Sequence, residues 1–374
     1  MHSVENFPTY KIILTMLRNR FNIKLIQYAS ALTILKLFTK YVWRLITMKT
    51  IISIRDFIQK SFPIIVIIVC TIAFFVPAAF SWGAPINSYL MSFIMFGMAL
   101  TMEVSDFKIL FKKPKITILG ILFSYTLSAG MAFIAYKLFG IPAALGVGLV
   151  LCGACPGGNI TDVMTFIANG DVPLSVGISS IATMLSPIIT PAIVYLLFNT
   201  IVEVNLGELV SGLLRAVIIP IIIGLVVKNI FRDKMKRIEE VSPLLSFFCL
   251  ILMTGIIVSL NGSKLLEMNL MIFVASSLYI ILPLFTGYFL CRTFKLTIWE
   301  SRTIAFECGL KNTILASMLA TVAFPDLVPD GVGLPGIITS LLAIVIAPII
   351  AKGWASYDKK HNIAPVKEEQ EARA

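Results

Sequence analysis

The chain has 374 residues, 58% hydrophobic and only 14% charged, whereas soluble domains run about half apolar and about a quarter charged. Its net charge of +11 gathers in a few short loops and at the two ends, which reads as membrane topology rather than nucleic-acid binding. The six cysteines fall in or beside apolar runs, against an extracellular disulfide framework, and both histidines, His2 and His361, lie in terminal tails, which excludes a histidine triad or histidine zinc site inside a membrane.

Residues 1–47 carry seven Lys/Arg and one acid, Glu5, with scattered apolar residues and no signal-peptide core. They read either as a basic amphipathic surface helix or as translated upstream sequence with the true start at Met48, and the second is favoured. Ten apolar runs follow, near 62–81, 87–102, 115–138, 142–168, 172–199, 208–230, 242–261, 268–291, 298–320 and 332–352. Their continuity predicts helices that cross a bilayer rather than strands. The fourth is interrupted at Pro156-Gly157-Gly158 and the ninth at Gly309.

Lys108, Lys112, Lys113 and Lys115, then Lys228, Arg232, Lys234, Lys236 and Arg237, then Arg292, Lys295 and Arg302 mark one side. The other carries Lys137 and Lys264 with Glu203, Asp326 and Asp330. Basic loops stay in the cytoplasm, which puts both termini inside. The tail from 358 is polar and mixed in charge, and is expected to be disordered. The chain halves into repeats of about 56–200 and 208–356, each with five spans and an interrupted fourth span. Five is odd, so the second half enters inverted, the pattern of secondary transporters with a site at the midplane.

The interruptions carry the chemistry. Glu307 and Lys311 flank the second, and Asn159, Thr161 and Asp162 follow the first. Ionisable residues inside a membrane mark functional sites. Half-helix C-termini with carboxylates and hydroxyls suit a hard monovalent cation, and half-helix N-termini suit an anion. Glu307, Asp162, Thr161, Ser175 and Ser179 supply oxygens, the two serines one turn apart on one face. Gly158, Asn159 and Asn312 stand at the breaks, where a substrate would bind. Structural readings stay open: serines in membrane helices often bond their own backbone, Glu307 and Lys311 at i and i+4 can neutralise each other, and Arg215 can snorkel or pair rather than touch an anion.

Met95-Phe96-Gly97-Met98-Ala99-Leu100-Thr101, Cys155-Pro156-Gly157-Gly158-Asn159 and Glu307-x-Gly309-x-x-Asn312 resemble the bile acid:sodium symporter family, from about Met48 to about Tyr357. The resemblance implies an all-α polytopic membrane protein of ten transmembrane helices in two inverted five-helix repeats. Its broken helices 4 and 9 cross in a core domain beside a panel domain. It further implies one sodium at Thr161, Asp162, Ser175, Ser179 and Glu307, and a second at Ser124, Lys311, Glu307 and the backbone of Cys308 and Leu310. The sequence departs from that pattern at Asp162, where asparagine is common, and at Ser124 and Lys311, where glutamines are expected.

An ammonium cannot ligate sodium, so Lys311 is expected to replace the second ion. The alternative is that it titrates and couples transport to protons. The function expected is secondary active transport of an organic anion, bile acid-like or a small carboxylate such as pantoate, with sodium as coupling ion and no cofactor. A proton-coupled or sodium-independent carrier or exporter is the alternative; Cys155 keeps a thin link to arsenite exporters of related architecture. An enzyme, a retinal-type receptor and a channel fit less well. The expected location is a bacterial inner membrane.

Overall fold

The computed structural model describes Ser61 and residues 64–102, 109–267, 270–361 and 363. The chain divides into Met1–Phe57 and Ile58–Ala374, and every described residue belongs to the second unit. The expectations for residues 1–47, Met48, Lys108 and the chain past residue 363 fall outside the described residues.

Long apolar runs become helices because a helix satisfies its own backbone hydrogen bonds where water is scarce. They are α1 (Ile64–Phe75), α2 (Asn87–Thr101), α3 (Pro114–Leu138), α4 (Ala143–Ala154), α5 (Asn159–Ile167), α6 (Val172–Phe198), α7 (Leu206–Ile230), α8 (Arg232–Glu267), α9 (Met271–Thr293), α10 (Ile298–Gly309), α11 (Thr313–Ala323) and α12 (Leu334–His361). Seven stretches are long and apolar enough to cross a membrane: Ala84–Thr101, α3, α6, α7, Leu244–Gly262, α9 and α12. α1, α4 and α11 are shorter apolar helices. Among the described residues there is no strand.

Helix ends follow the local chemistry. Asp171, Asn205 and Asn312 cap α6, α7 and α11 by accepting from the amides of Leu174, Glu208 and Leu315 at 3.1–3.2 Å. Thr297 and Glu300 form a reciprocal capping box on α10. Pro187 sits inside α6 and removes a backbone donor; Ser186 Oγ donates to the Thr183 carbonyl at 2.7 Å in its place.

The first predicted span is shorter than expected. α1 stops at Phe75 and a four-residue helix, Ala78–Ser81, follows past Pro77. The fourth and ninth spans are broken, as the sequence implies. The second break, however, is at Leu310-Lys311-Asn312, not at Gly309. Gly309 ends α10 and serves packing, since a Cβ there would lie 2.8 Å from the Ile280 carbonyl and from Leu284 on α9.

The interrupted helices lie at the centre. From Ala144 on, every residue of α4 is buried, and so is every residue of α10 from Glu300 to Gly309. α4 packs among α3, α6, α11 and α12; α10 packs against α3, α5, α6 and α9. α2 packs chiefly on α7 and α8, and α7 also touches α6 and α11.

Candidate functional site

The two breaks meet. Gly157 and Lys311 pair as a short antiparallel bridge, and the Asn312 amide donates to the Pro156 carbonyl at 2.9 Å. The freed carbonyls at the end of α10 are taken by side chains. Ser124 Oγ donates to Glu307 O at 3.1 Å, Thr161 Oγ1 to Leu310 O at 3.1 Å, and Ser128 Oγ to Cys308 O. α3 and α5 therefore hold the break open from two sides.

Beside the bridge, Ser179 Oγ donates to Glu307 Oε1 at 2.8 Å. Ser175 Oγ stands 2.7 Å from Asp162 Oδ1 and 3.1 Å from Glu307 Oε1. A serine hydroxyl has one proton, so with both carboxyls ionised one of these two contacts sets oxygen lone pairs against each other. Glu307 is fully buried, and its Oε2 has no hydrogen-bond partner among the described residues. Leaving such an oxygen unpaired is expensive. Gly157 lets the backbone approach this carboxylate, because a Cβ there would lie 2.5 Å from Glu307 Oε2 and 2.6 Å from Ser179 Oγ. Two carboxylates, clustered hydroxyls and an orphan carboxylate oxygen suit a hard monovalent cation. Among the described residues no group of three His, Cys, Asp or Glu would hold another metal.

Lys311 turns the other way. Its Nζ hydrogen-bonds Ser124 Oγ and lies 5.2 Å from the centre of the Tyr125 ring. Ser124 in turn bonds the carbonyl of Glu307, not its carboxylate. The break removes the helical i, i+4 geometry, and Glu307 and Lys311 form no direct ion pair. Lys311 is thus tied to the residues that the family resemblance assigns to a second ion.

Of the predicted residues, Asp162, Ser175, Ser179 and Glu307 meet through their side chains, Thr161 bonds the Leu310 carbonyl, Lys311 bonds Ser124, and the Cys308 carbonyl is taken by Ser128. Gly158 and Asn312 flank the bridge; Asn312 spends its side-chain oxygen as the cap of α11. The side chain of Asn159 lies outside the described residues.

Sequence reasoning missed the frame around the site. Arg302, counted above as a loop charge, is buried in α10. It pairs with Asp358 Oδ2 at 2.5 Å and Oδ1 at 2.6 Å and donates to the Ala168 carbonyl at 2.9 Å. Asn169 Nδ2 adds a bond to Asp358 at 2.9 Å. Lys113 bridges Asp171 at 2.7 Å and Glu300 at 2.8 Å. Burial alone would lower the Lys113 pKa; the hydrogen bonds and charges of Asp171 and Glu300 outweigh it and hold it above the ordinary lysine value. Thr303, one turn before Glu307, accepts from the Asp171 amide at 2.8 Å, which ties the start of α6 to α10. Arg302 stands only five residues into its apolar run, beside Glu300, so in sequence it is indistinguishable from a loop charge.

The sequence profile of the sodium bile acid symporter family matches residues 88–268. A Bacillus subtilis protein, described as an uncharacterized sodium-dependent transporter, YocS, is 34% identical over 314 residues, covering 84% of this chain and 96% of that protein. The chain belongs to the sodium bile acid symporter family. An Arabidopsis thaliana relative, described as a probable chloroplastic sodium/metabolite cotransporter, BASS1, is 27% identical over 302 residues, 80% of this chain and 75% of that one. A rice protein of the same description is 26% identical over 307 residues, 82% and 75% of the two chains. These relatives are described as transporters or cotransporters, not enzymes. The chain is accordingly a multi-pass membrane transporter, with sodium as the ion its family points to.

Proposed function

We propose that the protein is a secondary active carrier that moves an organic anion together with one sodium ion, with Lys311 standing permanently in place of a second. The observation that carries this reading is a fully buried Glu307 whose Oε1 meets Ser175 and Ser179 and whose Oε2 has no hydrogen-bond partner among the described residues, on one side of the bridge, with Lys311 bonded to Ser124 on the other. With Asp162 and Glu307 ionised and Lys311 protonated, the site has one net negative charge, which one sodium balances. Thr161, Asp162, Ser175, Ser179 and Glu307 hold that sodium. Gly158, Asn159 and Asn312, beside the starts of α5 and α11, receive the substrate, a bile acid-like or small carboxylate anion.

The same reading makes residues 48–357 a ten-crossing carrier in two inverted halves. α1, the broken pairs α4/α5 and α10/α11, and the seven long stretches supply the crossings. α3–α6 and α9–α12 form the core, and α1, α2, α7 and α8 the panel. Alternating access comes from their relative movement, with both termini cytoplasmic in a bacterial inner membrane. A second reading, proton coupling through Lys311, draws on the burial of that amine against a neutral hydroxyl.

Thermal stability of the purified protein in sodium, potassium and across pH tests both readings. A ligand that binds only the folded state raises its melting temperature. Sodium, but not potassium, is expected to stabilise wild type, and Lys311→Gln to show a steeper sodium dependence. If sodium has no effect while pH shifts the melting temperature, and Lys311→Gln removes that shift, the carrier is proton-coupled.

A further inference from the structure

The two serines that meet Glu307 stand on α6, whereas Glu307 stands on α10. Ser179 Oγ is 2.8 Å and Ser175 Oγ 3.1 Å from Glu307 Oε1, so the carboxylate oxygen lies between two hydroxyls one turn apart. One turn before this meeting the same two helices touch again. The Asp171 amide, four residues ahead of Ser175, donates to Thr303 Oγ1, four residues ahead of Glu307, at 2.8 Å. From one contact to the next each segment advances by four residues, about 6 Å at 1.5 Å per residue. The two segments therefore run in the same direction with matched rise, and the first contact sets the register of the second.

Thr303 is prepared for this from both sides. Its hydroxyl is 2.9 Å from the Trp299 carbonyl of its own helix, the nearer of two carbonyls it faces. Donating its proton there leaves the oxygen lone pairs for α6. Asp171 is the N-cap of α6, so its amide has no acceptor within that helix, and the residue is buried. Gly170 permits the approach, because a Cβ there would lie 2.9 Å from Thr303 Oγ1 and 2.7 Å from Thr165 Cγ2. Further along, Ile178 of α6 and Ile304 of α10 close around Gly120 of α3. Apolar contact of that kind is non-directional, and Lys113 reaches Asp171 and Glu300 through a long side chain. A slip of one residue would move Ser175 by about 1.5 Å and turn it by about 100°, off the carboxylate.

We propose that Thr303 is a positioning residue of the cation site: its hydroxyl, bonded to the Asp171 amide, fixes the register of α6 on α10 and thereby holds Ser175 and Ser179 against Glu307. The proposal rests on the sodium reading above. Thr303 touches neither the cation nor the substrate; it acts through the helix that carries the serines.

Sodium titrations of the melting temperature of the full chain test this. Thr303→Val keeps the shape of the side chain and removes the hydroxyl. It is expected to raise the sodium concentration for half-maximal stabilisation by about 10- to 100-fold, the range for losing a group that orients a metal ligand. Thr303→Ser keeps the hydroxyl and should stay close to wild type. Gly170→Ala presses on the same hydroxyl from the α6 side and should weaken sodium in the same sense. Ser301→Ala is the comparison: Ser301 is buried in the same helix but spends its hydroxyl on the Thr297 carbonyl at 2.7 Å, and its sodium response should be unchanged.

A purely structural role would lower the melting temperature of Thr303→Val equally at every sodium concentration, and that result overturns the proposal. So does a Thr303→Ser no better than Thr303→Val, or a Ser301→Ala weakened as much. If Thr303→Val does not fold, Gly170→Ala decides, and wild-type sodium affinity in that variant overturns the proposal. If wild type itself does not respond to sodium, the one-sodium reading fails and takes this proposal with it; a wild-type response with an unaltered midpoint in Thr303→Val overturns this proposal alone.

Discussion

Gly157 and Gly158 are neighbours with opposite demands on space. A Cβ on Gly157 would run into Glu307 Oε2 and Ser179 Oγ, whereas one on Gly158 meets nothing closer than 3.5 Å, at the Asn312 backbone and the Lys311 carbonyl. Gly157→Ala must therefore push the carboxylate off the serine hydroxyls. It is expected to abolish the sodium-dependent rise in melting temperature and to destabilise the sodium-free protein by roughly 0.5–3 kcal/mol. Gly158→Ala should keep the sodium response. Equal responses in the two variants would mean that Glu307 is not the ligand. The sequence named Glu307, Asp162 and the two serines because polar groups in an apolar run have few reasons to be there. It did not separate the two glycines, since close approach is a property of two segments more than a hundred residues apart.

For helices, the question at each break is where the freed carbonyls go. Ser124, Ser128 and Thr161 each take one, at Glu307, Cys308 and Leu310. Ser128→Ala would leave the Cys308 carbonyl without that donor in a buried setting, a loss of about 1–3 kcal/mol. Thr126, also on α3, bonds its own Leu122 carbonyl at an exposed position, and Thr126→Ala should change stability by no more than about 0.5 kcal/mol. Chemical or thermal unfolding of both variants checks the contrast; equal losses would remove the special standing of Ser128. That the two runs break was legible from Pro156-Gly157-Gly158 and from the polar cluster at 307–312. Where the second breaks was not, because Gly309 is spent on the approach of α9 and Lys311 bridges to Gly157 instead.

Across the whole molecule, the helices that carry the site are fastened at one end by Arg302, Asp358, Asn169 and the Lys113–Asp171–Glu300 group. Arg302→Met strands a buried carboxylate and is expected to cost about 3–5 kcal/mol, while Arg302→Met combined with Asp358→Leu should recover most of it. Melting temperatures of the single and paired variants decide this, and a paired variant no better than the single one would refute it. Neither partner was legible: Arg302 read as a topology charge, and Asp358 fell in what read as a polar tail. α12 instead runs on to His361 with Asp358 buried. Local composition carries no information about a partner 56 positions away. The bridge between Gly157 and Lys311 has a consequence for biosynthesis. Asp162, Ser175 and Ser179 are inserted long before Glu307 is translated, and closing a loop of that length is slow and entropically unfavourable. Until residue 312 has entered the membrane, the Cys155–Gly158 backbone lacks the partners it has in the finished fold. A chain halted at the ribosome before that point would leave the Pro156 carbonyl without the Asn312 amide that pairs with it in the finished fold, and an unpaired backbone group in an apolar setting is costly.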